Sequence, residues 1–358
     1  PSSGFWLLSL SEDGLVGLLP LATEGQGKPV TVPPPRGGAR GLPQRQCQTW
    51  YPHDCGMFFM GDSRGTLSIW DTRSLQEAFS FPFREGDLRD LSASHGSRLL
   101  AVAGVTNTIR LFDWGSGSET HRLGGHVDRV DSVHWSRRDP NLLVSGGRDM
   151  SVRLWDVRRT NACLLMFSEF KSAVPLSETV GEPGTPLGLS CAWTSNTRSG
   201  NWHVASSRSI PNKRLRVGNK VNSHTTPVVK ARFSDDSRHV ISRGLDGRVR
   251  LWDVTTGHIV VDNFPGSLAL PRVQYAISSC ASFACATDSR TLFVANDSSI
   301  TTHDLITGLR VHTMRGDGMF TCVTVHPFLE ILYSGNVDAG IISFSPILLG
   351  NSQALEDG

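Results

Sequence analysis

One short phrase recurs along this chain, and its spacing limits what the chain can fold into. It reads "LSIWD" at Trp70, "IRLFD" at Phe112, "VRLWD" at Trp155 and "VRLWD" again at Trp252. Weaker copies are "ITTHD" at His303, "IISFS" at Phe344 and, near Leu19, "LVGLLP". Steps between these anchors are 51, 42, 43, 97, 51 and 41 residues. The better copies alternate apolar and polar side chains, as a strand does, and end on an acid. A unit of this length cannot bury its apolar face alone, so copies must stack against one another. The 97-residue step is one repeat of roughly 42 plus roughly 55 inserted residues, so seven copies make seven units.

A period near 42 residues with a Trp-Asp ending is the pattern of WD40 repeats. The expected fold is all-β: a seven-bladed WD40 β-propeller occupying residues 1–358 as a single domain. Pro1 falls inside the first repeat, which leaves room for an incomplete first blade. Composition fits many turns, with 36 Gly and 19 Pro, and 39% hydrophobic residues supply the core. Two segments break the period. Residues 22–46 are Pro/Gly/Arg-rich and hold one strand-like piece, "PVTV", expected to form an outer strand. Residues 168–222 follow "ACLLMF", the expected outer strand of the fourth blade, and contain the basic cluster Arg208, Lys213, Arg214, Arg216 and Lys220. That cluster reads either as a solvated insertion or as a nuclear-import or nucleic-acid patch.

Within the repeats, polar residues keep fixed offsets from the anchor. An acid stands six residues before it at Asp149, Asp246, Asp297 and Asp338, and a serine ten before it at Ser145, Ser242 and Ser334. His126 and His224 precede two of these sets. Polar groups inside a packed blade must satisfy one another. The expected network is therefore Asp149–His126–Ser145–Trp155, repeated as Asp246–His224–Ser242–Trp252. A Ser/His/Asp set also resembles a hydrolase triad, but recurrence at the repeat period and the attached Trp point to architecture. Other copies have lost members: Met60 and Arg64 replace the Ser and Asp in the second, Thr106 stands in the third, and the seventh has Asp317 where His is expected.

The totals exclude several functions. Formal charge is +2, so a polyanion partner would need a local patch. Seven cysteines (47, 55, 163, 191, 280, 285 and 322) contain no C-x-x-C pair, which argues against a disulfide framework and a zinc site and for buried, reduced thiols. No apolar run approaches the ~18 residues of a membrane span. His53 and Asp54 adjoin Cys55 in one tight turn, a poor arrangement for a catalytic pair. No catalytic residue, metal or cofactor is expected, and the protein reads as a non-enzyme.

The phrase "TWYPHDCGMF" (residues 49–58), followed by "LSIWDTRSLQ", resembles the second blade of the Cockayne syndrome group A family of WD-repeat DNA-repair factors. "RLGGHVDRVDSVHWS", "VRLWDVRR", "DGRVRLWDVTTG" and "LYSGNVDAGIISF" follow its later blades in order, over about residues 5–347. The resemblance implies a substrate receptor that sits on the damaged-DNA-binding adaptor of a cullin-4-type RING ubiquitin ligase, in the nucleus. It acts there in transcription-coupled nucleotide excision repair, with the group B translocase and stalled RNA polymerase II as targets. It also implies that Trp-Asp-x-Arg boxes face the adaptor, here Trp70, Asp71 and Arg73, and Trp155, Asp156 and Arg158. Members of the family place a helical segment ahead of the first blade into the adaptor, whereas Pro1 already lies within the first repeat.

Each third strand should end at its Trp-Asp pair, so Arg73 and Arg158 fall in turns on the bottom face, with "YPHD" (residues 51–54) beside them. Arg158 can pair with Asp156 or present its fork to a partner. Candidate target contacts on the other face, chosen by position, are Arg64, Asp128, Arg148 and Arg243. Two alternatives stand beside the receptor. One is a generic WD-repeat scaffold. The other is direct binding of damaged DNA, which would need a basic face and an aromatic wedge that the short loops do not offer.

Overall fold

A computed structural model of the chain describes residues 6–11, 15–21, 30–32, 45–83, 86–159, 163–167, 193–196, 201–204, 223–265, 283–296, 298–316, 318–326, 331–336 and 340–344. Among these, all regular structure is β. Seven antiparallel sheets, numbered here in chain order, are the blades of a seven-bladed β-propeller of the WD40 class. Sheets 2 to 6 have four strands each, in simple up-and-down order. Sheet 2, for example, runs Arg45–Trp50, Met57–Asp62, Thr66–Asp71 and Gln76–Pro82. Three strands are described in sheet 1 (Trp6–Leu10, Val16–Pro20, Val30–Val32) and three in sheet 7 (Phe320–Val325, Leu332–Asn336, Gly340–Phe344). The expected outer strand in "PVTV" is Val30–Val32, paired with Val16–Leu18.

From Trp70 onward the anchors occupy third strands, and Leu19 lies on the middle strand described in sheet 1. Trp70 ends Thr66–Asp71, Phe112 ends Thr108–Asp113, Trp155 ends Val152–Asp156 and Trp252 ends Val249–Asp253. Burial explains the sequence pattern in the better copies, where the third strand is more enclosed than the outer strand. Every residue of Val152–Asp156 is buried, and nearly every residue of Gln76–Pro82 is exposed. Trp135, Trp155 and Trp252 are among the largest fully buried side chains.

Contacts divide the chain into two compact units. One holds sheets 1 to 3 and the start of sheet 4, with Trp155–Leu164; the other holds Met150–Leu154 and sheets 5 to 7. In the first unit the innermost strands are locked by polar side chains. Ser132 Oγ and the Val133 N–H both donate to Asp90 Oδ2 at 3.0 Å. The Trp135 N–H donates to Ser92 Oγ, also at 3.0 Å. Both backbone links join residues 43 apart, so Leu88–Ala93 and Val130–Trp135 run side by side in the same direction. The first turns of sheets 3 and 4 therefore lie at one end of the unit. Gly96 confirms the fit: a Cβ there would stand 2.6 Å from the Pro140 ring.

In the second unit the 168–222 insertion leaves and returns at one place. The Ser223 hydroxyl donates to the Phe167 carbonyl and accepts from the Val152 N–H at 2.8 Å. One hairpin of the insertion is described, Trp193–Asn196 with Asn201–Val204, and it is counted with the first unit. The basic cluster at 208–220 lies outside the described residues, as do Asp297, Asp317 and Asp338.

Asp90 is buried and accepts from two donors on the neighbouring sheet. Asp90→Ala strands both donors and should cost about 1–3 kcal/mol, read as a lower urea midpoint at unchanged m. An unchanged midpoint would show that this link does not hold sheets 3 and 4 together.

Candidate docking site

In sheets 2 to 6 a turn closes the third strand, and its shape comes from the acid at the strand end. Asp113 accepts from the Gly115 N–H at 2.8 Å, Asp156 from Arg158 at 3.0 Å and Asp253 from Thr255 at 2.8 Å. Asp71 accepts from Ser74 at 2.9 Å and Asp304 from Thr307 at 2.7 Å. The backbone after each acid then bonds back to the first turn of its own sheet. Thr72 N reaches Gly56 O at 2.8 Å, Trp114 N reaches Arg98 O at 3.3 Å and Val157 N reaches Asn141 O at 2.9 Å. Both turns of a sheet thus share one end.

Sheets 2 to 4 bring these ends together within the first unit. Tyr51, from the first turn of sheet 2, meets Trp114 of sheet 3 edge-on at 5.8 Å, and Trp114 also packs on Phe59 at 5.5 Å. His53 stacks edge-on against Tyr51 at 5.4 Å. The turns at this end of sheets 2 to 4 carry six exposed arginines: Arg73, Arg98, Arg137, Arg138, Arg158 and Arg159. Nearby carboxylates point back into the backbone, with Asp54 on the Gly56 N–H at 2.8 Å and Asp139 on Asn141 at 2.9 Å. The arginine side chains are exposed while Asp54 and Asp139 are held in turns, which suits an acidic, partly apolar partner surface.

The two Trp-Asp-x-Arg boxes share this end but differ in detail. Arg158 clasps Asp156 with Nε at 2.9 Å from Oδ1 and Nη2 at 2.6 Å from Oδ2. Its side chain remains 64% exposed while that of Asp156 is 6% exposed. The Arg158 hydrogen bond holds the Asp156 carboxyl below the usual range, and Asp156 in turn raises Arg158. In sheet 2 the Asp71 carboxyl is lowered by the Ser74 hydroxyl first, then by the Ser74 backbone. Arg73 gives Asp71 a long N–H contact of 3.4 Å and a weaker charge effect, and its exposed side chain makes no ion pair among the described residues. Sequence reasoning missed Trp114 and Arg98. The only signal was position, since Trp114 directly follows Asp113 in the third copy.

The hydrogen-bonded chain in sheet 4 is complete. His126 Nδ1 lies 2.9 Å from Asp149 Oδ2, His126 Nε2 lies 2.7 Å from Ser145 Oγ, and Trp155 Nε1 donates to the same Oγ at 2.8 Å. In sheet 5, Trp252 Nε1 and His224 Nε2 meet Ser242 Oγ at 2.8 and 2.7 Å. There Asp246 drops out, and His224 Nδ1 has no hydrogen-bond partner. The reason is local. Where sheet 4 has Val127 after the histidine, sheet 5 has Thr225, whose hydroxyl takes Asp246 Oδ2 at 3.2 Å. Desolvation, with Arg250 and Arg248 adding to it, pushes His224 down to about 3. In sheet 6 His303 occupies the anchor position, fully buried against Phe264 with neither ring nitrogen bonded, and burial lowers it to about 4.

At the opposite end of the first unit, Arg64, Asp128 and Arg148 are exposed. Arg148 lies 3.7 Å from Asp131. Arg243 is the exception among the position-based target contacts. It is 1% exposed and donates to the Ala295 carbonyl at 2.9 Å, so it joins sheets 5 and 6 and is withdrawn from the target-facing set. Of the described cysteines, Cys47 and Cys163 are buried, as expected of buried thiols, Cys285 is half-buried, and Cys55 and Cys322 are exposed, which departs from that expectation. Among the described residues no helix is long and apolar enough to cross a membrane, and no cluster of three His, Cys, Asp or Glu has metal-site geometry.

Comparison with known proteins agrees with this architecture. Residues 117–156 and 215–253 match the family described as WD domain, G-beta repeat; the first stretch ends at Asp156 and the second at Asp253. The chain is a WD40-repeat protein, a class that typically serves as a non-catalytic scaffold. It is similar to the WD repeat-containing protein ATCSA-1 of Arabidopsis thaliana, at 29% identity over 60% of this chain and 54% of the relative. Autophagy-related protein 16 of the same plant is 24% identical over 59% and 48%. Apoptotic protease-activating factor 1 of Danio rerio is 23% identical over 77% and 24%. The chain thus spans about half the length of the first two relatives and a quarter of the third.

Two outcomes test the buried networks. Asp149→Ala should cost about 1–3 kcal/mol because it unpairs His126, and Asp246→Ala should cost distinctly less; equal losses on chemical denaturation would contradict the difference between the sheets. The second outcome concerns pH. His224 and His303 bind protons more weakly folded than unfolded, so their contribution is complete above the unfolded value near 6.5 and fades as pH falls toward 4. The slope is up to about 1.4 kcal/mol per pH unit for each histidine. His303→Phe should flatten the loss of melting temperature between pH 7.5 and 5, and an unaltered profile would rule His303 out.

Proposed function

We propose that this WD-repeat scaffold is a substrate receptor of a cullin-4-type RING ubiquitin ligase, acting in the nucleus in transcription-coupled nucleotide excision repair. One observation carries the reading: Arg73, Trp114 and Arg158 stand on equivalent turns of sheets 2, 3 and 4 at one end of the same unit. The resemblance of "TWYPHDCGMF" and the later blades to the Cockayne syndrome group A family supports it, as does the similarity to ATCSA-1. The arginine end docks on the damaged-DNA-binding adaptor of the ligase. The other end, with Arg64, Asp128 and Arg148, holds the target, for which the group B translocase and RNA polymerase II complex are the candidates. Arg73 supplies an uncommitted fork, and Arg158 presents the outer edge of a guanidinium whose inner edge Asp156 fixes. The scaffold contributes no bond chemistry. It raises the effective concentration of target lysines near the ubiquitin-charged enzyme.

The double charge reversal Arg73→Glu with Arg158→Glu should reduce adaptor co-purification more than about tenfold, as loss of interfacial charge complementarity does, with the protein still folded by circular dichroism although Asp156 loses its partner. A folded double mutant that still co-purifies with the adaptor at the wild-type level would remove the docking assignment.

A further inference from the structure

The cations of this chain are unevenly chosen. Thirty are arginine and five are lysine: Lys28, Lys171, Lys213, Lys220 and Lys230. The first four fall in the two segments that interrupt the repeat, 22–46 and 168–222, and lie outside the described residues. Lys230 is the one lysine on a described blade, half-buried on the first strand of sheet 5, where it pairs in register with Arg243. Elsewhere on the described blades every Lys/Arg position is arginine.

Ion pairing accounts for some of these arginines but not for all. A bidentate fork explains Arg158 and Arg122 on Glu119, and Arg250 pairs with Asp262 through Nε. Arg98, Arg290, Arg310 and Arg315 are exposed and form no ion pair among the described residues. At such solvated sites an ammonium would serve as well, and Lys is ordinarily among the commonest residues. What the two side chains do not share is nucleophilicity. A lysine amine, once deprotonated, has a lone pair localised on Nζ. The guanidinium stays protonated at any physiological pH and its electrons are delocalised.

We propose that the blades of this chain are refractory to the ubiquitin transfer carried out around them, because their surface cations cannot accept ubiquitin. The inference rests on the receptor reading above. In the transfer, a lysine Nζ attacks the carbonyl carbon of the ubiquitin thioester on the conjugating enzyme. A C–N isopeptide bond forms, the C–S bond breaks, and the proton lost by the amine goes to the departing cysteine thiolate. A receptor bound to the adaptor sits within reach of that thioester at every encounter, with or without a target. Arginine keeps the charge that solvates the blades and removes the acceptor, so turnover is directed to the target's lysines.

The test uses the full chain with purified adaptor, cullin, RING protein, conjugating enzyme and ubiquitin, without a target. Isopeptide sites are mapped by mass spectrometry, and adaptor binding is measured separately. The wild-type chain should carry no conjugate on Lys230. Arg290→Lys and Arg315→Lys, at opposite ends of sheet 6, should each gain a conjugate at the new lysine, at least tenfold above background. Conjugation of Lys230 in the wild type, or no conjugate at either new lysine while the adaptor is bound, overturns this inference alone. Failure of the wild-type chain to bind adaptor overturns the receptor reading and this inference with it.

Discussion

A single carboxylate at the end of the third strand in sheets 2 to 6 sets the geometry on which the docking face depends. In sheets 2 to 6 that acid accepts backbone N–H groups from residues two or three places on, so each turn leaves its sheet along the same path. The residue two places past the acid then occupies an equivalent position in each turn. It is Arg73 in sheet 2, Gly115 in sheet 3, Arg158 in sheet 4, Thr255 in sheet 5 and Ile306 in sheet 6. Thr255 turns its hydroxyl onto its own acid at 2.6 Å, and Arg158 does the same with its guanidinium. The cap is therefore architecture common to the blades, and the identity of one side chain per blade decides what that end of a sheet offers a partner.

The inner strands make this repetition into a surface. Parallel alignment at an offset of 43 residues puts the turns of sheets 3 and 4 at the same level, and the Tyr51–Trp114 contact does so for sheets 2 and 3. The links are short polar side chains, Asp90 and Ser92, received by backbone and hydroxyl donors one blade on. Buried hydrogen bonds of this kind are directional, so they fix register where apolar packing alone tolerates sliding. Exposed arginines on adjacent turns then act as a group, with Trp114 half-buried among them as an anchor.

Much of this was legible because repeats translate sequence distance into spatial equivalence. The Trp155 anchor, its partner Ser145 ten residues earlier and Asp149 six earlier could be placed from copy to copy, as could the outer strand Val30–Val32. Contacts between blades left no such trace. Arg243 reads as a surface arginine near a turn, yet it is buried by a carbonyl from the next sheet, at Ala295. Asp246 matches Asp149 in offset and loses its histidine to a hydroxyl one residue past that histidine. Trp114 has no counterpart at its offset in the other copies, so periodicity could not mark it. The unequal use of Arg73 and Arg158 was equally hidden, since Ser74 competes for the Asp71 carboxylate where sheet 4 has a second arginine.

The claim that one end of sheets 2 to 4 docks the adaptor is tested most directly by amide hydrogen exchange of the full chain with and without saturating adaptor. Protection should concentrate in residues 51–56, 72–75, 94–98, 114–117, 136–141 and 157–159. Protection confined instead to the opposite turns at 63–65, 105–107 and 148–151, or no protection with the adaptor bound, would contradict the account.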